Sequence, residues 1–231
     1  MRKLYVISFL LVFAMVLTGC NVSVNKSHHI DNGETLEHGP KTVNGSIHIG
    51  NDCVIKGSSK TVNGKIRVGS ACDLQGLKTV NGSIKVGKKT VVNGTIKAVN
   101  GAITCQEDVS VEEDVHNVNG SITCKSGVNI SGNLLNTNGK ITLDNTTVQK
   151  DIKTNNGDIL LLNKSTVEGT ITIKKSKSFF SKKRELKIKI KDGSVVKGDI
   201  IAEGNNPKVK VYLSNGGKVE GEVKNAEVIN E

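Results

Sequence analysis

The sequence of 231 residues contains 32 Lys and Arg against 22 Asp and Glu, a formal net charge of +10 at pH 7. Aromatic residues make up only 3% and there is no Trp, so the composition excludes an ordinary core built around aromatic side chains. The length suits one elongated domain or a compact pair, and the basic excess indicates acidic partners.

The beginning of the chain, up to Cys20, combines three features in the order typical of an export signal. Arg2 and Lys3 supply a basic start, residues 4–17 are apolar, and Thr18 and Gly19 are small residues directly before Cys20. This pattern resembles the signal peptide and lipobox of bacterial lipoproteins. The resemblance implies that residues 1–19 are removed and that Cys20 is acylated. An uncleaved anchor is disfavoured because roughly 20 apolar residues are needed to span a bilayer.

Residues 20–40 are predicted to be the lipidated N-terminus followed by a flexible tether, since they are polar and lack a period. By resemblance to enterobacterial sorting signals, Asn21 implies the outer membrane, or the cell surface where the host has a single membrane. His28, His29 and His38 have no fixed spacing from Cys or carboxylates, so a solvated linker is favoured over a metal site. No metal and no cofactor is predicted.

A repeat with a period of about 19 residues runs from position 41 to position 173. Each unit has an Asn-Gly pair, an Ile three residues after the Asn, and a second apolar residue two positions further on. Two apolar positions separated by one residue indicate a strand with one buried face. The seven asparagines are Asn44, Asn63, Asn81, Asn100, Asn119, Asn138 and Asn156.

Further apolar positions in each unit predict two more strands, for example at Ile55 and Leu74 and at Ile96 and Val115. Three short strands joined by tight turns describe one turn of a parallel β-helix, in which only stacking buries the apolar face. We therefore predict an all-β fold, a single-stranded parallel β-helix of about nine turns, with about 18–19 residues in each of the first seven.

Asn-Gly pairs are also common in two-residue hairpins, but hairpins would give no reason for one register to persist through seven repeats. In stacked turns the Asn carboxamides lie about 4.8 Å apart and can satisfy buried polar groups by bonding from turn to turn. Gly permits the positive φ of such a corner. The sequence therefore predicts a structural Asn ladder at all seven positions.

The repeat is interrupted at residues 174–185 by a basic loop around two phenylalanines, and residues 186–231 are predicted to form longer C-terminal turns and a tail. The basic charges predict attraction to anionic surfaces, with the phenylalanines inserting at a membrane interface. A solvated loop whose phenylalanines fold back on the rod is the alternative. The candidate binding residues are Lys174, Lys175, Lys177, Phe179, Phe180, Lys182, Lys183 and Arg184.

Units such as Val80-Asn81-Gly82-Ser83-Ile84 are similar to those of a bacterial adhesin-like β-helix family of unknown function, often found in lipoproteins. This resemblance covers about residues 41–175. Residues 195–200 and 218–223 look more like units of bactofilins, which are polymer-forming, right-handed β-helices. Both resemblances imply the fold rather than the function, and neither supplies catalytic residues. The repeat itself leaves the handedness open, and a right-handed solenoid is the expectation.

The cysteines other than Cys20 form two pairs, Cys53 with Cys72 and Cys105 with Cys124, and the members of each pair are one repeat apart. Stacking places their Cα atoms about 4.8 Å apart, inside the window for a disulfide, and an extracytoplasmic location permits oxidation. Parallel neighbours often have poor dihedral angles for a bridge, so disulfides and stacks of free thiols both stay open.

The sequence favours a non-catalytic, lipid-anchored rod of the cell envelope with a structural or adhesive role towards anionic lipid or glycan, and nucleic acid is not an expected partner. No catalytic residue is predicted, because the densest acidic group, residues 107–114, has no matching acids on neighbouring turns. End-to-end self-assembly, as in a bactofilin-like scaffold, is one alternative since neither end offers a capping helix. A glycan-processing β-helix enzyme is the other.

Overall fold

The computed structural model describes residues 22–174, 185–204 and 208–231. Within these segments every regular element is a β-strand, and no helix is present that could cross a membrane. The strands form three parallel sheets, which we call sheets A, B and C. The chain visits them in that order and then begins again, so each circuit is one turn of a parallel β-solenoid.

Within each sheet the strands follow one another in chain order along the rod, and each strand of sheet A starts a new turn. Sheet A contains Val22–Ser23, Lys41–Thr42, Ser59–Thr61, Leu77–Asn81, Ile96–Asn100, Val115–Asn119, Leu134–Asn138, Ile152–Asn156, Ile171–Ile173, Ile200–Ala202 and Val223–Lys224. Sheet B contains His28–Ile30, Ile47–Ile49, Ile66–Val68, Ile84–Val86, Ile103–Cys105, Ile122–Cys124, Ile141–Asp144, Ile159–Leu162, Leu186–Lys191, Val209–Ser214 and Glu227–Asn230. Sheet C contains Thr35–Leu36, Val54–Ile55, Asp73–Leu74, Val91–Val92, Ser110–Val111, Asn129–Ile130, Thr147–Val148, Thr166–Val167, Val195–Val196 and Lys218–Val219.

The predicted parallel β-helix is confirmed, but it has more turns than expected. Among the described residues, sheets A and B have 11 strands and sheet C has 10, which makes ten complete turns and two strands of an eleventh. Eleven strands about 4.8 Å apart give a rod about 48 Å long.

The additional turn comes from residues 22–36, for which the prediction of a flexible tether is wrong. Their three strands pair in register with the second turn, for example His28 with Ile47 and Val22 with Lys41. Ile30 is buried in the core and Leu36 packs against it. Two apolar side chains and the paired backbone therefore suffice to order a segment whose composition is otherwise polar.

The core is a set of aliphatic columns in which each side chain stacks on its equivalent one turn away. Ile84, for example, pairs with Ile66 on one side and with Ile103 on the other, and all three are fully buried. Sheet C contributes Val92 to this interior and sheet A contributes Ile96. Each turn thus covers the apolar face of the next, which no turn could bury alone.

The corner between sheets A and B, which we call the Asn-Gly corner, brings stacked backbones so close that a side chain does not fit. A Cβ added to Gly64 would lie 1.9 Å from the carbonyl oxygen of Gly45. At Gly120 the corresponding distance to the Gly101 oxygen is 2.2 Å, and its φ of +153° also favours glycine. Gly64 has no positive φ, so the close approach alone requires glycine there.

We predict that Gly64→Ala lowers the free energy of unfolding by about 1–3 kcal/mol, the usual cost of forcing extra atoms into a packed site. Gly76, in the corner between sheets C and A, is the matched control because the nearest atoms to an added Cβ are 3.2 Å away. Gly76→Ala should cost less than Gly64→Ala in denaturant unfolding followed by circular dichroism. Equal losses would contradict the steric explanation.

Candidate functional site

The asparagines of the repeat form a ladder along the outside of the Asn-Gly corner. Each Nδ2 donates a hydrogen bond to the Oδ1 of the asparagine one turn earlier, at distances from 2.7 to 2.9 Å. The ladder runs through Asn25, Asn44, Asn63, Asn81, Asn100, Asn119 and Asn138. Asn156 aligns with Asn138 in sheet A, but within the described segments its side chain makes no such bond.

Two features of this ladder differ from the sequence expectation. Asn25 belongs to the ladder although it is followed by Lys26 rather than by glycine. The only feature of the sequence that predicts its membership is its spacing of one repeat from Asn44. The ladder is also exposed, so it does not satisfy buried polar groups.

Polar side chains that face inward lie in a separate column of sheet A, two residues before the ladder asparagines, and this column is interrupted by Ala98. Buried Thr61 donates to the carbonyl oxygen of Gly45 at 2.7 Å, and buried Asn117 donates to that of Gly101 at 2.9 Å. Thr42, Thr79 and Asn136 make equivalent bonds. A polar residue at an inward strand position is the sequence signal for this column.

We predict that Asn100→Ala lowers the free energy of unfolding by about 0.5–1.5 kcal/mol, the usual net value of a hydrogen bond. Asn100 donates to Asn81 and accepts from Asn119, at 2.8 and 2.9 Å, so the substitution removes both bonds. The exposed Asn156 provides the control, since Asn156→Ala removes no ladder bond. Urea midpoints that fall equally in both variants would count against a stabilising ladder.

All four described cysteines are free and buried. Cys105 and Cys124 pair in register in sheet B, and the hydrogen bond between the two thiols, followed by burial, raises the pKa of Cys124 well above its usual value. The Cys53 thiol donates to the Asp31 carbonyl oxygen at 3.0 Å, as Cys72 donates to Gly50 at 3.1 Å. These thiols act as small core side chains that also donate a hydrogen bond. Burial raises the pKa of Cys72, which lowers the fraction of its reactive thiolate form.

The densest acidic group is divided among separate partners. Glu112 accepts a hydrogen bond from the Ser131 hydroxyl at 3.0 Å, and Glu113 accepts one from the Thr95 hydroxyl at 2.8 Å. Asp114 accepts from the backbone and side chain of Asn133. These carboxylates therefore brace neighbouring turns. In the part of the chain that the structure describes, no three His, Cys, Asp or Glu side chains are placed to hold a metal ion.

Of the residues in the predicted basic loop, only Lys174 is described, and it is exposed at the end of sheet A. The other candidate binding residues, Lys175, Lys177, Phe179, Phe180, Lys182, Lys183 and Arg184, lie outside the described residues. Cys20, the predicted acylation site, also lies outside the described residues.

A row of lysines on the outer face of sheet A is the main surface feature that the sequence analysis did not single out. Lys41, Lys60, Lys78 and Lys97 pair in register on four adjacent strands, and His116 follows on the fifth. Adjacent members are about 4.8 Å apart along the axis. All are half-buried, and we call Lys41, Lys60, Lys78 and Lys97 the lysine ladder. The sequence signal is a lysine three positions before the ladder asparagine in four successive repeats.

The lysine ladder holds like charges against one another. Burial lowers the pKa of Lys60, and the charges of Lys78 and Lys41 lower it further. Burial and the charge of Lys78 lower the pKa of Lys97 in the same way. Among the described residues, no ion pair involves Lys41, Lys60 or Lys78. The ladder is therefore a site of concentrated positive potential.

The basic residues of sheet B lie on the other side of the Asn-Gly corner. His29, His48, Arg67 and Lys85 pair in register there, and the rings of His29 and His48 stack with centroids 4.8 Å apart. Further along the same column the outward residues become Thr104, Thr123, Thr142 and Leu160. Both faces of the corner are thus basic in the early turns.

The positive charge is concentrated in these early turns. Between Lys41 and Lys97 the sequence has ten Lys and Arg against two Asp, a formal net charge of +8 by subtraction. Residues 98–231 have 19 Lys and Arg against 17 Asp and Glu, which leaves +2. Two lysines lie further along the line of the lysine ladder in sheet A, and their charges are neutralised by ion pairs. Lys153 pairs with Asp151 at 2.9 Å, and Lys224 pairs with Asp199 at 3.3 Å.

No family model, curated protein or solved structure matches the chain. The resemblances to adhesin-like and bactofilin repeats are therefore confirmed only at the level of the fold, a parallel β-solenoid.

We predict that His116 makes the rod less stable in mild acid. Burial, followed by the charge of Lys97, lowers the pKa of His116, and Asp114 only partly opposes this. The unfolded chain therefore binds the proton first, and stability falls as the pH drops through about 6.5, the unfolded value. His116→Gln should flatten the loss of unfolding free energy between about pH 8 and pH 5.

His38→Gln, a change at an exposed histidine outside the sheet A column, is the control for this measurement. At each pH the denaturant midpoint of His38→Gln should equal that of the unmodified protein. A profile for His116→Gln that coincides with the unmodified protein would contradict the assignment.

Proposed function

We propose that the chain is a non-catalytic, lipid-anchored rod of the bacterial cell envelope that binds anionic envelope components along its side. The observation that carries this proposal is the concentration of positive charge between Lys41 and Lys97. In this region basic residues of sheets A and B lie in register on neighbouring parallel strands. Such a field attracts anions and loses strength with added salt.

The position of the anchor supports the same proposal. Only Asn21 separates the predicted acylation site, Cys20, from the first strand, Val22–Ser23. An acyl chain on Cys20 would therefore hold the first turn close to the membrane surface. The basic turns begin one turn further on, so anionic head groups and membrane-proximal polymers would come within about 10 Å, the screening length at 0.1 M salt.

The acidic residues support a function without catalysis. Glu112, Glu113 and Asp114 each accept hydrogen bonds from the adjacent turn, which gives these carboxylates a structural role in linking the turns. Paired carboxylates at a defined separation are what glycoside hydrolysis requires.

Self-assembly is the second candidate, because within the segments that the structure describes the end strands pair on one side only. Val22–Ser23 begins sheet A and Glu227–Asn230 ends sheet B, and Val24 and Val228 near these ends are 60% and 44% exposed. Unpaired parallel edges of this kind can accept a second copy of the same chain.

The test expresses the full-length chain, residues 1–231, and its Cys20→Ser variant in a bacterial host. We expect metabolic labelling by a fatty acid for the first and no labelling for the second. Purified Cys20→Ser protein should bind phosphatidylglycerol vesicles or isolated envelope polymer at low salt and release them at high salt, because the attraction is electrostatic. No binding to either, together with sedimentation that increases with protein concentration, would favour the scaffold instead.

A further inference from the structure

We infer that the lysine ladder of sheet A binds a linear anionic polymer that lies parallel to the solenoid axis, with successive lysines contacting successive anionic groups. This inference rests on the proposed function and specifies its site, its ligand class and the direction in which the ligand lies.

The geometry of the row favours a linear ligand. Lys41, Lys60, Lys78 and Lys97 are register partners, so they occupy one line along the axis rather than a two-dimensional patch. Three steps of about 4.8 Å make this line about 14 Å long. A polymer with a repeating charge can follow such a line, whereas a single small anion would contact only one or two lysines at a time.

The surroundings of Lys41, Lys60 and Lys78 leave their charges available. In the chain segments that connect sheet C to sheet A over the first four turns, Glu37 is the only acidic residue. Its carboxylate bonds to the Lys56 ammonium at 2.7 Å. Further along the column, Asp151 forms an ion pair with Lys153 at 2.9 Å. Lys41, Lys60 and Lys78 thus lie in a part of sheet A that is poor in acidic neighbours.

The neighbouring columns suit the backbone of a polymer. Val43, Val62 and Val99 each lie two residues after a ladder lysine and are half-buried, and the Asn ladder follows on the corner. A chain lying on the lysines would therefore meet partly exposed apolar surface and then a row of carboxamides. Lysine is a compact charge on a flexible stem, so it accepts phosphate and carboxylate groups alike.

Relief of repulsion adds to the attraction. Like charges on directly opposed strand positions destabilise a sheet, and the ladder repeats that arrangement three times. An anion between two lysines converts each repulsive contact into two attractive ones. Binding and stability should therefore be coupled, with the polymer raising the melting temperature of the rod.

The experiment measures the binding of the Cys20→Ser mature chain to inorganic polyphosphate and to polygalacturonate of defined lengths, across a sodium chloride series. We expect both polymers to bind and orthophosphate and galacturonate monomers to bind negligibly. With four lysines contacting the polymer, the slope of log K against log salt should be about −3. Lys78→Gln should reduce that slope by about 0.7–0.9 and weaken binding to both polymers.

Lys89→Gln is the matched control, because Lys89 belongs to the same turn but lies between sheets B and C. It should leave the salt slope unchanged, while Lys41→Gln, Lys60→Gln, Lys78→Gln and Lys97→Gln combined should abolish length-dependent binding. Since these changes remove repulsion, the combined variant should unfold at a temperature no lower than the parent, which verifies its folding. Equal effects of Lys78→Gln and Lys89→Gln would overturn the inference.

Further variants and ligands in the same experiment distinguish a failure of this inference from a failure of the proposed function. If Arg67→Gln with Lys85→Gln removes binding while the combined ladder variant retains it, the ladder is not the site, although the envelope-binding function stands. Binding to phosphatidylglycerol vesicles but to neither polymer would also overturn the inference and leave the function intact. No binding of the parent protein to vesicles, polymers or envelope preparations would overturn both.

Discussion

The structure depends on in-register stacking of equivalent residues on parallel strands about 4.8 Å apart. This arrangement places each side chain beside its own counterpart, so the energetic consequence depends on the residue type. Isoleucine on isoleucine builds the core, as at Ile66, Ile84 and Ile103, and asparagine on asparagine builds a hydrogen-bonded ladder. Lysine on lysine builds repulsion, which adds to the effect of burial in lowering the pKa of Lys60. Stabilising and functional columns therefore result from one geometric rule.

Most of the fold could be predicted from the sequence because its signals are local and repeated. Alternating apolar residues such as Ile84 and Val86 define a strand, and the Asn-Gly spacing defines the turn. Residues 22–36 have the composition of a tether because an edge turn buries little, here Ile30 and part of Leu36. Its pairing depends on the presence of the second turn, which local composition does not report.

The candidate site is harder to predict because its residues lie on separate turns. Residues 174–184 form one segment rich in basic residues, which is conspicuous in the sequence. Lys41, Lys60 and Lys78 are far apart in the sequence, and only the register of the strands in sheet A brings them together. The inner Thr and Asn column is hidden in the sequence for a related reason. A polar side chain such as Thr61 suggests an outward position until the glycine carbonyl that it satisfies is located one turn away.

The tight Asn-Gly corner also determines where the chain can accept extra residues. In turns 2 to 8 that corner has no room for even a methyl group, as Gly64 and Gly120 illustrate. In turn 9 residues 174–185 take its place in the sequence, yet Ile159 still pairs with Ile188. Insertions at this corner therefore leave the strand register intact. The length of the rod and the composition of its surface can therefore vary independently in such a chain. Duplication of whole turns changes the length, and residues inserted at a corner change the surface.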